Sequence, residues 1–304
     1  MVSAVITSDL NLDLCAQEPI RIPGSIQPHG VLVVVDHESR RVLQASANAR
    51  ALLGVERRES LLGLSLTELI GATAERQVAV WLNNPDSNYL RTLEIHGRRL
   101  QVLGHQTAQG VILEFEQPPA SEGETLEAYY PRIGRFMEDV PGFGDLADLC
   151  NAAAREFRQI SGFNRVLIYR FDSQWNGEVL AEDGDGVLPS YASLRFPASD
   201  IPAQARELYR LNRLRLIPDA NYQPVPLEPP LHPRDGQPLD LSFAALRSVS
   251  PVHLQYMRNM GTLASMSISV LVDGKLWGLV SCHHATPSRV NAQARTACDL
   301  LGKV

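Results

Sequence analysis

The stretch "QPPASEGE", residues 117 to 124, interrupts every periodic pattern on either side of it. Its prolines, glycine and acids read as a linker. The 304 residues must therefore be divided between two modules, each able to bury a core of its own.

Before the linker, "GVLVVVD" and "RRVLQAS" are short apolar strands joined by "HESR", and "ANARALLG" is a helical turn ending in Gly54. Residues 89–116 hold three more strand-like runs, punctuated by His96-Gly97 and Gln109-Gly110. Two strands, small helices and a three-strand meander predict an antiparallel sheet with helices on one face, an α+β domain.

After the linker, Leu146, Leu149, Ala153, Phe157 and Ile160 recur at three- and four-residue steps, which gives a helix one apolar stripe. Strands are predicted at "RVLIYRF" and, after the Asn176-Gly177 turn signal, at "GEVLAE". "SMSISVLVDGKLWGLVSCHH" predicts a β-hairpin turning at Asp273-Gly274. Between them, "YQPVPLEPPLHPRDGQPLDLS" is proline-rich without regular period, a long loop of the kind that usually has a task. The closing "NAQARTACDLLGKV" reads as a helix with no terminator, as an excerpt from a longer chain would.

The net charge of −6 argues against a nucleic acid or an anionic membrane as partner. No apolar run is long enough to span a bilayer, and "MVSAVITSDLNLDL" lacks the basic start of a secretory signal. Cys15, Cys150, Cys282 and Cys298 are scattered without a Cys-x-x-Cys pair, as reduced thiols of a cytoplasmic protein would be.

Four stretches carry candidate chemistry. Cys15 lies among Asp13, Gln17 and Glu18 on an irregular leader, which suits an accessible thiol; a small packed hydrophobe is the alternative. In "LRFPASDIPAQARELY", Pro197 and Pro202 stiffen the chain around Asp200, with Asp200 or Ser199 expected to cap the helix "AQARELY" and Pro202 in its first turn. Arg215, Arg247, Ser248, Ser250, His253 and Tyr256 offer guanidinium and hydroxyl groups suited to a carboxylate, or simply a charged surface. In "SCHHAT", strand alternation lets Cys282 and His284 share a face but leaves any tetrahedral metal site two ligands short. No G-x-S-x-G, P-loop or dinucleotide fingerprint is present.

The motifs "EPIRIPGSIQPHG", "FPASDIPAQAR", "LRSVSPVHLQYMRNMG" and "LWGLVSCHH" together resemble the chromophore-binding half of the bacterial phytochromes, over nearly the whole chain. The resemblance implies a leader (residues 1–20), a PAS domain (21–117), a linker (118–124) and a GAF domain (125–304). Each domain would be a central antiparallel sheet with flanking helices. The leader would thread a lasso at about 221–250 as a figure-of-eight knot. The implied cofactor is biliverdin IXα, thioether-linked to Cys15, because Val252 stands where other branches carry their attachment cysteine. Arg215, Arg247, Ser265, Ser267 and His253 match the family's propionate contacts, and the Asp200 carbonyl with His253 its pyrrole-nitrogen contacts. Tyr169, Phe196, Ile201, Tyr209, Tyr256 and Met260 match its ring enclosure, Ser250 its pocket, and His283 the partner of the ring D carbonyl.

What this likeness implies is a non-enzymatic red/far-red photosensor, with a PHY domain and a histidine kinase in the parent chain. A homodimer through GAF helices is compatible with it, as is near-infrared fluorescence. Two positions depart from the family: Arg21 where histidine is common, expected to touch only the surface, and Asn164 where aspartate is common, expected to weaken an ion pair with Arg165. A cyclic-nucleotide-binding GAF/PAS module and a metal or redox sensor at Cys282–His284 are the alternatives.

Overall fold

The computed structural model describes residues 18–83, 89–118 and 125–304; Cys15 lies outside them. Its contacts divide it into two units. Among the described residues, one comprises 21–118 with 222–249, the other 18–20, 125–221 and 250–304.

The first unit holds a seven-stranded antiparallel sheet. In chain order its strands are β1 (Ser25–Ile26), β2 (Gly30–Val35), β3 (Val42–Ser46), β4 (Tyr89–Ile95), β5 (Arg98–Thr107), β6 (Gly110–Glu116) and, far downstream, β11 (Val225–Glu228). They lie in the order β1-β11-β3-β2-β6-β5-β4. The turns fall where the sequence places them, with Ile95 paired to Arg98 and Thr107 to Gly110. Val31, Val33 and Val35 face α1 (Ala49–Leu53), α2 (Leu66–Ile70) and α3 (Ala72–Leu82). Gly54 closes α1 in the left-handed region, and Ser65 and Glu68 form a reciprocal cap on α2.

"GVLVVV" does not alternate because both faces of β2 are covered. Leu32 and Val34 pack with Leu239, Leu241, Ala244 and Leu246 of the downstream loop. The loop is thus a second layer of this unit, and Glu114 on β6 holds it by accepting the amides of Ala245 (3.0 Å) and Leu246 (2.6 Å).

β1 and β11 correct the sequence reading, which has the stretch from 13 to 30 and the proline-rich stretch irregular throughout. Ser25 and Ile26 pair with Pro226 and Val225 on one side. On the other, Gln27 N donates to the Leu246 carbonyl and Ser248 N to that of Ser25. Residues 25–27 therefore run between the two limbs of the loop, in a strand too short for period-two alternation to reveal it. Arg21 is likewise more than a surface contact: its Nε donates to Ser242 Oγ (2.7 Å) and its carbonyl accepts Leu241 N (2.8 Å).

The second unit holds six antiparallel strands in the order β10-β12-β13-β7-β8-β9. These are β7 (Arg165–Phe171), β8 (Gly177–Gly184), β9 (Arg195–Phe196), β10 (Leu214–Ile217), β12 (Ala264–Val272) and β13 (Lys275–His284). Val272 pairs with Lys275 across the Asp273-Gly274 turn. One sheet face, with Val166, Ile168, Met266, Ile268, Val280 and Cys282, packs on α4 (Leu126–Asp139), α5 (Leu146–Ser161) and α8 (Ala292–Leu301). α6 (Ala203–Leu211) and α7 (Pro251–Asn259) complete the unit. Among the described residues no helix is long and apolar enough to cross a membrane.

Candidate functional site

The sheet face turned away from the helical core is polar. Directly opposed residues of an antiparallel ladder share a face. Register therefore places Arg215, Ser267, Ser281 and Leu167 in one row, and Ile217, Ser265, His283 and Arg165 in the next. Tyr169 stands in the row on the other side of the Ser281 row, opposite Leu279. Five of the sequence-nominated residues (Tyr169, Arg215, Ser265, Ser267 and His283) are thus brought onto one surface by strand alternation.

Aromatic residues gather at its edge. Tyr169 lies 6.3 Å from Phe196, which lies 5.8 Å from Tyr191 (ring centroids). A Cβ on Gly177 would come within 2.7 Å of the Tyr169 ring, so only glycine lets that ring lie against β8. Burial pushes the Tyr169 hydroxyl well above its ordinary range, with Tyr209, Tyr256 and Asp200 adding to the effect. On α7, His253 stacks with Tyr256 at 6.2 Å, and Ser265 Oγ donates to the Met257 sulfur at 3.8 Å.

Asp200 is placed differently from the sequence expectation. Residues Ala198–Asp200 form a separate 3-10 turn, and Pro202 occupies the N-cap of α6, so neither Asp200 nor Ser199 caps it. The reason is geometric: Pro202 forces the residue before it out of the helical region. Released from capping, the Asp200 carboxylate accepts the Tyr256 hydroxyl at 3.0 Å. Burial raises the Asp200 pKa, and the Tyr256 bond opposes that rise. The turn is steadied by Arg206, which donates to the Ile201 carbonyl at 2.7 Å while lying 4.6 Å over the Trp175 ring.

Both histidines are held neutral. Burial, then the Arg215 charge, lowers His253 to about 4. Burial, then Arg165 and His253, lowers His283 to about 3. His283 is 8% exposed, with Arg165 Nη2 2.9 Å from its Nδ1 and Ser281 Oγ 2.9 Å from its Nε2. Sequence reasoning nominated neither Ser281 nor Tyr191 and valued Arg165 only for an ion pair; for Ser281 the two-residue step to His283 on one strand was the available signal.

Other nominated residues fall elsewhere. Ser250 is the N-cap of α7, accepting Val252 N and donating to the Glu18 carboxylate. Met260 ends α7. Arg247 belongs to the first unit, 8% exposed and bridged to Ile26. Asn164 donates to Asp185 (2.8 Å) and accepts Ala285 N (2.9 Å). Cys282 and His284 do share a face, but burial pushes the Cys282 thiol up to about 12, and His284 Nδ1 lies 2.9 Å from the Thr286 carbonyl. Among the described residues no cluster of three candidate metal ligands occurs.

Known proteins agree with this architecture. A PAS fold family matches residues 15–118 and the GAF domain family matches residues 145–304. Cyanobacterial phytochrome B of Nostoc sp. is 43% identical over 98% of this chain and 41% of its own length. A bacteriophytochrome of Xanthomonas campestris is 41% identical over 98% of this chain and 47% of its own. The chain thus spans less than half the length of these relatives. The chromophore-binding domain of an unusual R. palustris bacteriophytochrome superposes with TM-score 0.87 at 40% identity, covering 95% of both chains. That of Stigmatella aurantiaca phytochrome P1 gives 0.85 at 42% identity, over 95% of this chain and 97% of the other. With two domains in this order, and that likeness over nearly all of its length, the chain belongs to the bacteriophytochrome family, as its PAS–GAF photoreceptor module.

Proposed function

We propose that this module binds biliverdin IXα through a thioether to Cys15 and serves as the red/far-red light input of a longer sensor. The observation that carries the reading is the polar sheet face: two arginines, three serines and a neutral histidine in two adjacent rows, edged by tyrosines and Asp200. Such a donor set fits a flat, conjugated ligand bearing carboxylates and ring carbonyls.

When bound, the bilin supplies visible absorption and light-driven isomerisation, which the side chains alone lack. Arg215 with Ser265 and Ser267 would hold a propionate, each charge-assisted bond contributing about 1.5–3 kcal/mol where water is excluded. Arg247 enters this assignment by sequence likeness alone. The Asp200 carbonyl and His253 would accept from pyrrole N–H groups, which a neutral imidazole permits and an imidazolium does not. Tyr169, Phe196, Ile201, Tyr209, Tyr256 and Met260 would enclose the rings, with Ser250 at the head of α7, and His283 would meet the ring D carbonyl. Attachment at Cys15 is supported by reach. Glu18 touches Ser250 at the start of α7, and three residues span at most about 10 Å.

By the same likeness the signal would pass to a PHY domain and histidine kinase in the parent chain, and the module itself would catalyse nothing. The test is co-expression with a heme oxygenase. A coloured protein whose spectrum changes under red light is expected. A colourless product that instead binds a cyclic nucleotide would overturn the reading in favour of a nucleotide-regulated GAF module.

A further inference from the structure

Arg165 is among the largest fully buried side chains, 1% exposed, and its guanidinium is engaged by neutral groups. It donates to the Pro189 carbonyl, lies 3.8 Å over the Tyr191 ring, and places Nη2 2.9 Å from His283 Nδ1. The loop bearing these partners is itself fastened, because Glu182 accepts Tyr191 N (2.6 Å) and the Ser190 hydroxyl (3.2 Å). His283 and Arg165 are direct cross-strand partners on β13 and β7. The guanidinium is thus fixed before any ligand is considered.

Guanidinium has donors and no acceptor, and stays charged in proteins. Nδ1 of His283 must then be the acceptor of their bond. A neutral imidazole with an accepting Nδ1 carries its proton on Nε2, and Nε2 lies 2.9 Å from Ser281 Oγ. The serine oxygen therefore accepts from the histidine, and its own hydroxyl proton is left to donate onward. Both bonds run in one direction, from Arg165 through His283 to Ser281.

We propose that Arg165 is a positioning residue that locks His283 in its Nε2–H form, so that His283 and Ser281 offer this sheet face donors for a carbonyl or carboxylate oxygen. Exchange of Arg165 for an uncharged residue would free Nδ1 to carry the proton and turn Nε2 into an acceptor. The low basicity of His283 agrees, since the Arg165 charge adds to burial in opposing a second proton. That the recipient oxygen is a bilin carbonyl rests on the preceding reading; the tautomer does not.

The test is made on the ligand-free chain, so that failure to take up biliverdin is distinguishable from failure here. With 15N-labelled histidine, the wild-type His283 should show a pyrrole-type Nε2 and a pyridine-type Nδ1, unchanged between about pH 5 and pH 8. Arg165→Lys, which keeps a charged donor, should preserve that pattern. Arg165→Met should lose it: with its charged donor gone Nδ1 takes up part of the proton, so Nδ1 moves upfield, Nε2 moves downfield, and the two nitrogens approach averaged values. Ser281→Ala, a milder change should the methionine variant not fold, should shift the Nε2 proton while leaving Nδ1 pyridine-type. A pyrrole-type Nδ1 in the wild type, a proton that moves to Nδ1 in Ser281→Ala, or a folded Arg165→Met with the wild-type pattern would overturn the proposal.

Discussion

The Tyr256 hydroxyl donates to Asp200 Oδ2 across 3.0 Å, tying α7 to the turn that precedes α6. The two side chains thereby share one proton relationship: burial raises the Asp200 pKa, and Tyr256 holds it down. The Tyr256 pKa in turn rises, first from burial and then from the neighbouring Asp200 charge.

Tyr256→Phe removes the donor and leaves a half-buried carboxylate. It should cost about 1 kcal/mol near neutral pH, and less once Asp200 is protonated. Because the folded carboxyl titrates above the unfolded one, its ionisation opposes folding; the penalty is present at neutral pH and fades as pH falls through the folded pKa. Asp200→Asn should therefore raise the urea midpoint of the ligand-free chain at pH 7, with the gain shrinking on acidification. An unchanged midpoint would assign the carboxylate to solvent.

His253 and His283 titrate at about 4 and about 3 when folded, and His105 in the first unit is lowered by burial to about 4. All three lie below the unfolded histidine near 6.5. The unfolded chain then binds more protons, so stability is full above about pH 6.5 and is lost as pH falls toward 4, by up to about 1.4 kcal/mol per pH unit for each histidine. Denaturation midpoints of His105→Gln should fall less steeply across that window than wild type. Equal slopes would refute the burial of its charge.

Glu114→Gln replaces the carboxylate that accepts two loop amides with a group that can serve them less well. A loss of about 1.5–3 kcal/mol is expected for the first unit. Amide exchange at Ala245 and Leu246 should accelerate more than exchange at residues of β5. Uniform acceleration would indicate a global rather than a local effect.

Gly177→Ala places a methyl 2.7 Å from the Tyr169 ring, and the ring must move. The fold should survive at a cost of about 1–3 kcal/mol. A shift in tyrosine fluorescence or ring resonances, with unchanged circular dichroism, would report the displacement.

Cys15→Ser should leave a protein that still takes up biliverdin but releases it on acid denaturation. Colour remaining on the denatured variant would transfer the attachment to another residue.

Legibility in the sequence followed the range of the interaction. Hairpins closed by His96-Gly97 and Asp273-Gly274, and the helix striped by Phe157 and Ile160, are local, and their period and turn chemistry state them directly. β1 and β11 depend on partners far along the chain and left no period to read. Asp200 was misplaced because Pro202 suits both the cap and the first helical turn, and the restriction it sets on Ile201 decides for the cap. The site was found by family likeness. The role of Arg165 was hidden because an arginine in sequence looks like surface charge, and only cross-strand register sets it beside His283.

The pairing of residues 25–27 with both limbs of the 222–249 loop joins residues about 200 to 220 positions apart, as between Ser25 and Pro226 or Gln27 and Arg247. A ribosome must therefore release most of the polypeptide before the opening strand acquires its second neighbour. Early hydrophobic positions such as Ile26, Leu32 and Val34 must wait for Leu241 and Leu246 to cover them. Severing the protein at residues 117–124 would accordingly yield two imperfect halves: one with a bare apolar flank, the other with an orphaned coil.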